Sequence, residues 1–122
     1  MSIETLILFT MAGAYVLLGI NHFWHPRFYL PMFPPYIPKP KVINTLAGIA
    51  EIVLGVGLMI EETRSWAAMG IIAMLIAFTP VHVYMIQKGG KFPGGARLPL
   101  WAAWVRLVVI HPILIFAAWW FV

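Results

Sequence analysis

The stretch INHFWHPRFYLPMFPPYIPKPK, Ile20–Lys41, decides the fold. Six of the chain's ten prolines fall in it (Pro26, Pro31, Pro34, Pro35, Pro38 and Pro40), together with His22, His25 and the aromatic residues Phe23, Trp24, Phe28, Tyr29, Phe33 and Tyr36. Proline has no N–H to donate and its ring crowds the preceding turn, so this stretch is not the interior of a regular helix or strand. Long apolar runs flank it on both sides. An aromatic, basic, proline-rich segment between two such runs predicts a structured loop at a membrane surface.

The composition agrees. Of 122 residues, 62% are hydrophobic and only 10% charged, and the mean hydropathy is +0.91. Soluble domains carry roughly a quarter charged residues, so a soluble hydrolase is excluded, and residues 1–122 read as a single integral membrane domain. The net charge of +4 comes largely from loop residues and so reports topology, with no nucleic-acid surface implied. Cysteine is absent, which excludes disulfides, thiolate metal sites and CxxC redox chemistry. The N-terminal Met1-Ser2-Ile3-Glu4 lacks Lys and Arg, and no small-residue cleavage site follows the first apolar run. That run therefore reads as a span rather than a cleaved signal.

Four apolar segments emerge, at about Ile3–Phe23, Val42–Ile60, Trp66–Gln87 and Pro99–Val122. Each approaches the roughly 20 residues needed to cross ~30 Å of hydrocarbon at 1.5 Å per residue. Their Leu, Ile, Ala and Gly content without a period of two selects helices. The expected fold is all-α, a membrane-spanning four-helix bundle with a Pro/aromatic-rich first loop. The first connection carries Arg27, Lys39 and Lys41, and the third carries Lys88, Lys91 and Arg97, with turn signals at Gly89-Gly90 and Pro93-Gly94-Gly95. The second, Glu61–Ser65, reads as a tight acidic turn with Arg64 alone. The positive-inside rule then puts loops one and three in the cytoplasm and both termini outside. Trp24 and Trp101 mark one interface, and Trp66, Trp119 and Trp120 the other.

Glu51 is the most informative residue. It sits mid-span, where an ionised carboxylate costs at least a few kcal/mol. Asn44, Gly48, Glu51 and Gly55 follow a four-three-four spacing and form one small, polar stripe toward the bundle interior. Arg106 is the expected partner. It keeps its proton, and counting residues from the basic side puts both groups roughly 10–14 Å deep. The two are expected to form an intramembrane ion pair, directly or through one water or ligand group. Such a pair serves equally as a register-fixing element or as the centre of a ligand or proton site.

His22 and His25 have the spacing H-x-x-H, which on a continuous helix presents two metal ligands on one face. Pro26 follows at once and no third ligand is near, so no metal site is assigned. Tyr15, Leu18, His22 and His25 share a face of the first span, and Thr79 and His82 share a face of the third. Tyr15, Asn21, His22, His25, Glu51, His82 and Arg106 are the candidate ligand-binding residues, and of these Asn21, His22, Glu51, His82 and Arg106 are expected in the basic-side half of the bundle. Pro80 and Pro112 free the carbonyls of Ile76 and Val108 and loosen their helices. A polar cluster under an aromatic lid suits an amphipathic ring such as a quinone. The bland alternative is that prolines and aromatics merely seal a four-helix bundle.

These residues together resemble the DoxX family of small bacterial membrane proteins. The resemblance lies in Gly19-Ile20-Asn21-His22-Phe23 with Pro26 and Phe28-Tyr29, in Pro34-Pro35-Tyr36-Ile37-Pro38, and in Ala50-Glu51-Ile52-Val53-Leu54-Gly55-Val56-Gly57 with Thr63-Arg64. It continues in Pro80-Val81-His82-Val83-Tyr84-Met85 and Trp104-Val105-Arg106-Leu107 near Trp119-Trp120. Two departures are His82, where relatives often carry Asn, and Val108–Pro112, where they continue Pro-Leu-Gln. The resemblance implies a multi-pass protein of the bacterial inner (plasma) membrane, associated with redox complexes, and it supplies no catalytic residues. The function expected is an accessory or quinone-interacting subunit of a membrane redox system, with a quinone as the one cofactor in view. The alternatives are a non-catalytic scaffold or assembly subunit and a small transporter. The partners implied are the lipid bilayer and another membrane protein or a second copy of this chain.

Overall fold

The computed structural model describes residues 2–91 and 98–122. The expected Pro93-Gly94-Gly95 turn and Arg97 lie outside the described residues. Four helices are long and apolar enough to cross a membrane: α1 (Ile3–Trp24), α3 (Pro40–Met59), α4 (Glu61–Gln87) and a fourth spanning helix, Leu100–Trp120. The last comprises α5 (Leu100–Val105), a π-helical turn at Arg106–Ile110, and α6 (His111–Trp120). The fold is the expected all-α bundle.

Local chemistry fixes the ends of these helices. Ser2 caps α1 by accepting the Thr5 N–H at 3.1 Å, which satisfies a donor the helix itself leaves free. α1 stops at Trp24 because Pro26 cannot continue the ladder. Pro26 instead opens the four-residue helix α2, Pro26–Tyr29, where a missing N–H costs nothing. A 3₁₀ turn, Leu30–Met32, follows, and Pro40 opens α3 in the same way, after Lys39 turns the chain with a φ of 48°. Pro26, Pro31 and Pro40 thus stand at helix starts.

α1 and α3 make the tightest interface. A Cβ added at Gly19 would lie 2.7 Å from the Gly48 carbonyl oxygen, and one at Gly55 would lie 2.8 Å from that of Ala12. Lipid tails are as apolar as leucine, so close backbone approach and polar contacts hold spanning helices together where burial alone does not. The stripe Asn44, Gly48, Glu51 and Gly55 is buried along its length, as its spacing predicts. Leu8, Met11, Ala12 and Tyr15 of α1 join Leu58 of α3, Ile71 and Leu75 of α4 and Ala118 of α6 in the main core.

Two features differ from expectation. The Glu61–Ser65 turn is already helical, and the chain reverses at Ile60 alone. Glu61 and Glu62 sit in the first turn of α4, where the helix dipole favours carboxylates. Thr63 Oγ1 donates to the Gly57 carbonyl at 2.8 Å and Arg64 Nε to that of Leu58 at 2.8 Å. Side chains of one helix therefore satisfy the orphan carbonyls at the end of the other, and no longer loop is needed. The second difference is at Pro112: the His111 N–H reaches back to the Arg106 carbonyl, so the loosening takes the form of a π turn that begins at Arg106. α4 by contrast runs unbroken through Pro80.

Candidate functional site

The site starts from a carbonyl that has lost its helical partner. The His22 carbonyl would ordinarily accept from the N–H four residues on, and that residue is Pro26. Asn44 on α3 supplies the donor: its Nδ2 gives a hydrogen bond to the His22 carbonyl at 2.9 Å. The other half of the same amide, Oδ1, lies 2.6 Å from His22 Nδ1. His22 is further fixed by stacking on Tyr29, with ring centroids 3.9 Å apart and planes 19° from parallel. The Tyr29 hydroxyl accepts from Asn21 Nδ2 at 2.7 Å.

The other ring nitrogen, Nε2, lies 3.2 Å from Glu51 Oε2, and both side chains are buried. Oε2 makes no well-aligned hydrogen bond among the described residues, so this is a close charge contact rather than a well-directed bond. Of the two forms expected for the Glu51–Arg106 pair, direct or through one water or ligand group, the direct one is not seen: among the described residues the ion-pair contact of Glu51 is with His22. The reason is the glycine-mediated approach of α1 to α3, which brings His22 against the face that carries Glu51. Arg106, on the peripheral fourth helix, stays farther away.

Glu51 and Arg106 nevertheless share a cavity. It has a volume of about 500 Å³ and lies between α1 and the fourth spanning helix, with Glu51, Met74, Leu75 and Phe78 behind it. Thr10, Ala14, Tyr15 and Leu18 line it from α1, and Arg106, Leu114 and Ala117 from the fourth helix. The wall is apolar except for Thr10, Tyr15, Glu51 and Arg106. Tyr15 Oη and Arg106 Nη1 are buried without a hydrogen-bond partner among the described residues, while Glu51 Oε2 lies against His22 Nε2. Burying a polar atom unpaired is costly, so two such atoms on residues that line one cavity favour a polar guest there. The cavity also includes Leu6, Ile7 and Leu18, which are 57%, 47% and 48% exposed on the outer surface. In a bilayer this side faces the acyl chains.

The remaining predicted residues fall elsewhere. His25 caps α1 and is exposed, stacked on Trp24 at 5.6 Å. With Asn21, Trp24, Pro26, Arg27 and Phe28 it lines a separate surface groove of about 430 Å³. The H-x-x-H pair is thus split by the end of the helix: His22 points into the α1–α3 interface and His25 to the surface. Among the described residues no group of three His, Cys, Asp or Glu side chains could hold a metal ion. His82 meets His111, with ring centroids 5.2 Å apart. His111 Nε2 lies 3.1 Å from Thr79 Oγ1, whose own hydrogen goes to the Leu75 carbonyl at 3.2 Å. His111 therefore donates to Thr79. The Nδ1 atoms of His82 and His111 have no partner among the described residues.

Sequence reasoning placed Asn44 on the right stripe but missed its grip on His22. The signal was present as Pro26, four residues after His22. Tyr29 as a stacking partner left no comparable mark.

The fold and the site define a multi-pass, four-helix membrane protein with a polar-tipped cavity between its first and last helices. Residues 11–122 match the family described as Domain of unknown function (DUF8561), and the chain belongs to that family. No curated protein and no solved structure matches the chain. The match to DUF8561 does not carry the DoxX resemblance with it.

Proposed function

We propose that this protein binds an amphipathic ring, of which a quinone is the best-fitting example, and serves as an accessory subunit of a membrane redox system. The supporting observation is the cavity wall itself. A phenol and a guanidinium with buried atoms that lack partners among the described residues, and the carboxylate held by His22, belong to residues lining a largely apolar space of about 500 Å³. A ring carbonyl or hydroxyl satisfies such groups, and an isoprenoid tail suits a rim of Leu6, Ile7 and Leu18. Ligand sites are commonly of this build, mostly apolar with few polar groups. The DoxX-like motifs favour the same setting, the bacterial inner membrane, and the Lys and Arg residues of loops one and three favour placing those loops in the cytoplasm. The test is mild purification from native membrane followed by solvent extraction and quinone analysis. A stoichiometric quinone, reduced in Glu51→Gln and Arg106→Gln, is the expected result; a quinone-free preparation that binds none on addition rejects the reading.

A second reading, a scaffold or assembly subunit, is favoured by the fourth helix. Val108, Ile113, Phe116 and Trp119 are 58%, 59%, 59% and 63% exposed along it. A constant membrane partner recovered by crosslinking along this face supports that role, and isolation always as a lone monomer counts against it. A proton-coupled transporter fits less well, since Glu51 is already engaged by His22.

A further inference from the structure

The charges around the cavity do not balance, and the imbalance says what kind of head group belongs there. The chain has four acidic residues. Glu4 lies in the first turn of α1, and Glu61 and Glu62 in that of α4, so Glu51 is the one carboxylate in the interior of the bundle.

The state of Glu51 follows from Asn44. Because Asn44 Nδ2 must face the His22 carbonyl, its Oδ1 faces the ring, and an amide oxygen only accepts. His22 Nδ1 therefore carries a hydrogen. Nε2, 3.2 Å from Glu51 Oε2, cannot then be bare opposite a bare carboxylate, since two lone pairs would face each other in a buried site. One proton lies between them, whether formally on the imidazole or on the carboxyl. In either form the His22–Glu51 pair is neutral as a unit.

Arg106 is then left as an uncompensated cation. Its guanidinium keeps its charge, and Nη1 is buried without a partner among the described residues. The neighbouring titratable groups bring no anion: Tyr15 is a phenol, His82 and His111 are imidazoles, and His111 is committed to Thr79. A charge inside a spanning bundle normally finds a counter-charge or a water-filled cavity. We propose that the cavity is selective for an amphipathic molecule with an anionic head, such as an ionised ring hydroxyl or a carboxylate, seated against the Arg106 guanidinium beside Tyr15. Its apolar body lies along Leu6, Ile7 and Leu18. This rests on the ligand-binding reading above and narrows it from polar-headed to anionic.

The test uses the purified protein in nanodiscs of zwitterionic phosphatidylcholine and two probes of one shape. One is a 3-alkyl-2-hydroxy-1,4-naphthoquinone, ionised at neutral pH; the other is its neutral O-methyl ether. Titration calorimetry should show the ionised probe binding about ten- to a hundred-fold tighter, the worth of a charge-assisted hydrogen bond. Arg106→Gln should abolish the difference, and Arg106→Lys, which keeps charge and helix, should retain most of it. Equal binding of the two probes, or a preference that survives Arg106→Gln, overturns the inference while leaving the quinone reading standing. If neither ring binds, the quinone reading falls. An alkyl carboxylate and the alcohol of equal chain length then decide the anionic preference alone: an Arg106-dependent preference for the acid upholds it, and its absence overturns it.

Discussion

Asn44 and His22 are joined twice, through the imidazole and through the backbone, so one amide repairs a helix end and sets a tautomer at once. Pro26 removes the N–H that would have filled the His22 carbonyl, and α3 returns a donor from across the interface. The connection ties the proline-rich loop, the α1–α3 seam and the buried carboxylate into one unit.

Replacing Asn44 by Leu should therefore destabilise the protein beyond the loss of an ordinary hydrogen bond. Two buried groups on His22 lose their partner, each at about 1–3 kcal/mol. Thermal unfolding in detergent should show the drop, and a Leu variant as stable as the parent would mean the contact is incidental.

The His22–Glu51 contact predicts a non-additive cycle. Removing His22 alone leaves a buried carboxylate without its proton-sharing partner, a loss of about 3–5 kcal/mol. Changing both residues to Leu should cost less than His22→Leu by itself. The Glu51–Arg106 cycle should show weaker coupling, because the two line a common space without touching.

The glycines of the seam should divide sharply. A methyl at Gly48 would lie 2.9 Å from the Gly19 carbonyl oxygen and 3.0 Å from His22 Cβ, whereas one at Gly13 meets nothing within 4 Å. Gly48→Ala should push α1 from α3 and cost about 1–3 kcal/mol. Gly13→Ala should be neutral or stabilise by up to about 1 kcal/mol through helix propensity. Melting temperatures of the two variants, measured side by side, check the contrast.

The reversal at Ile60 depends on Thr63 and Arg64. Thr63→Val keeps the shape and loses the bond to Gly57, which should cost about 1 kcal/mol. The exposed carbonyls should appear first as faster amide exchange at the end of α3 and the start of α4. Unchanged exchange there would show that the turn holds without its side-chain caps.

Much of this architecture was written in the order of residues. Length and apolarity of the runs dictated four spanning helices, because hydrocarbon leaves the backbone no other way to satisfy itself. The spacing of Asn44, Gly48, Glu51 and Gly55 marked the buried face of α3, since a helix repeats every three or four residues whatever surrounds it. What the sequence could not rank was the choice of partner for Glu51. Equal depth allowed Arg106, but depth is a one-dimensional quantity, and distance across a bundle depends on how closely backbones approach. Gly19, Gly48 and Gly55 let α1 settle against α3, so His22 took the carboxylate. The fourth helix packs on α4 rather than into that seam, and Arg106 lines a cavity that exists only once the four helices have been placed together.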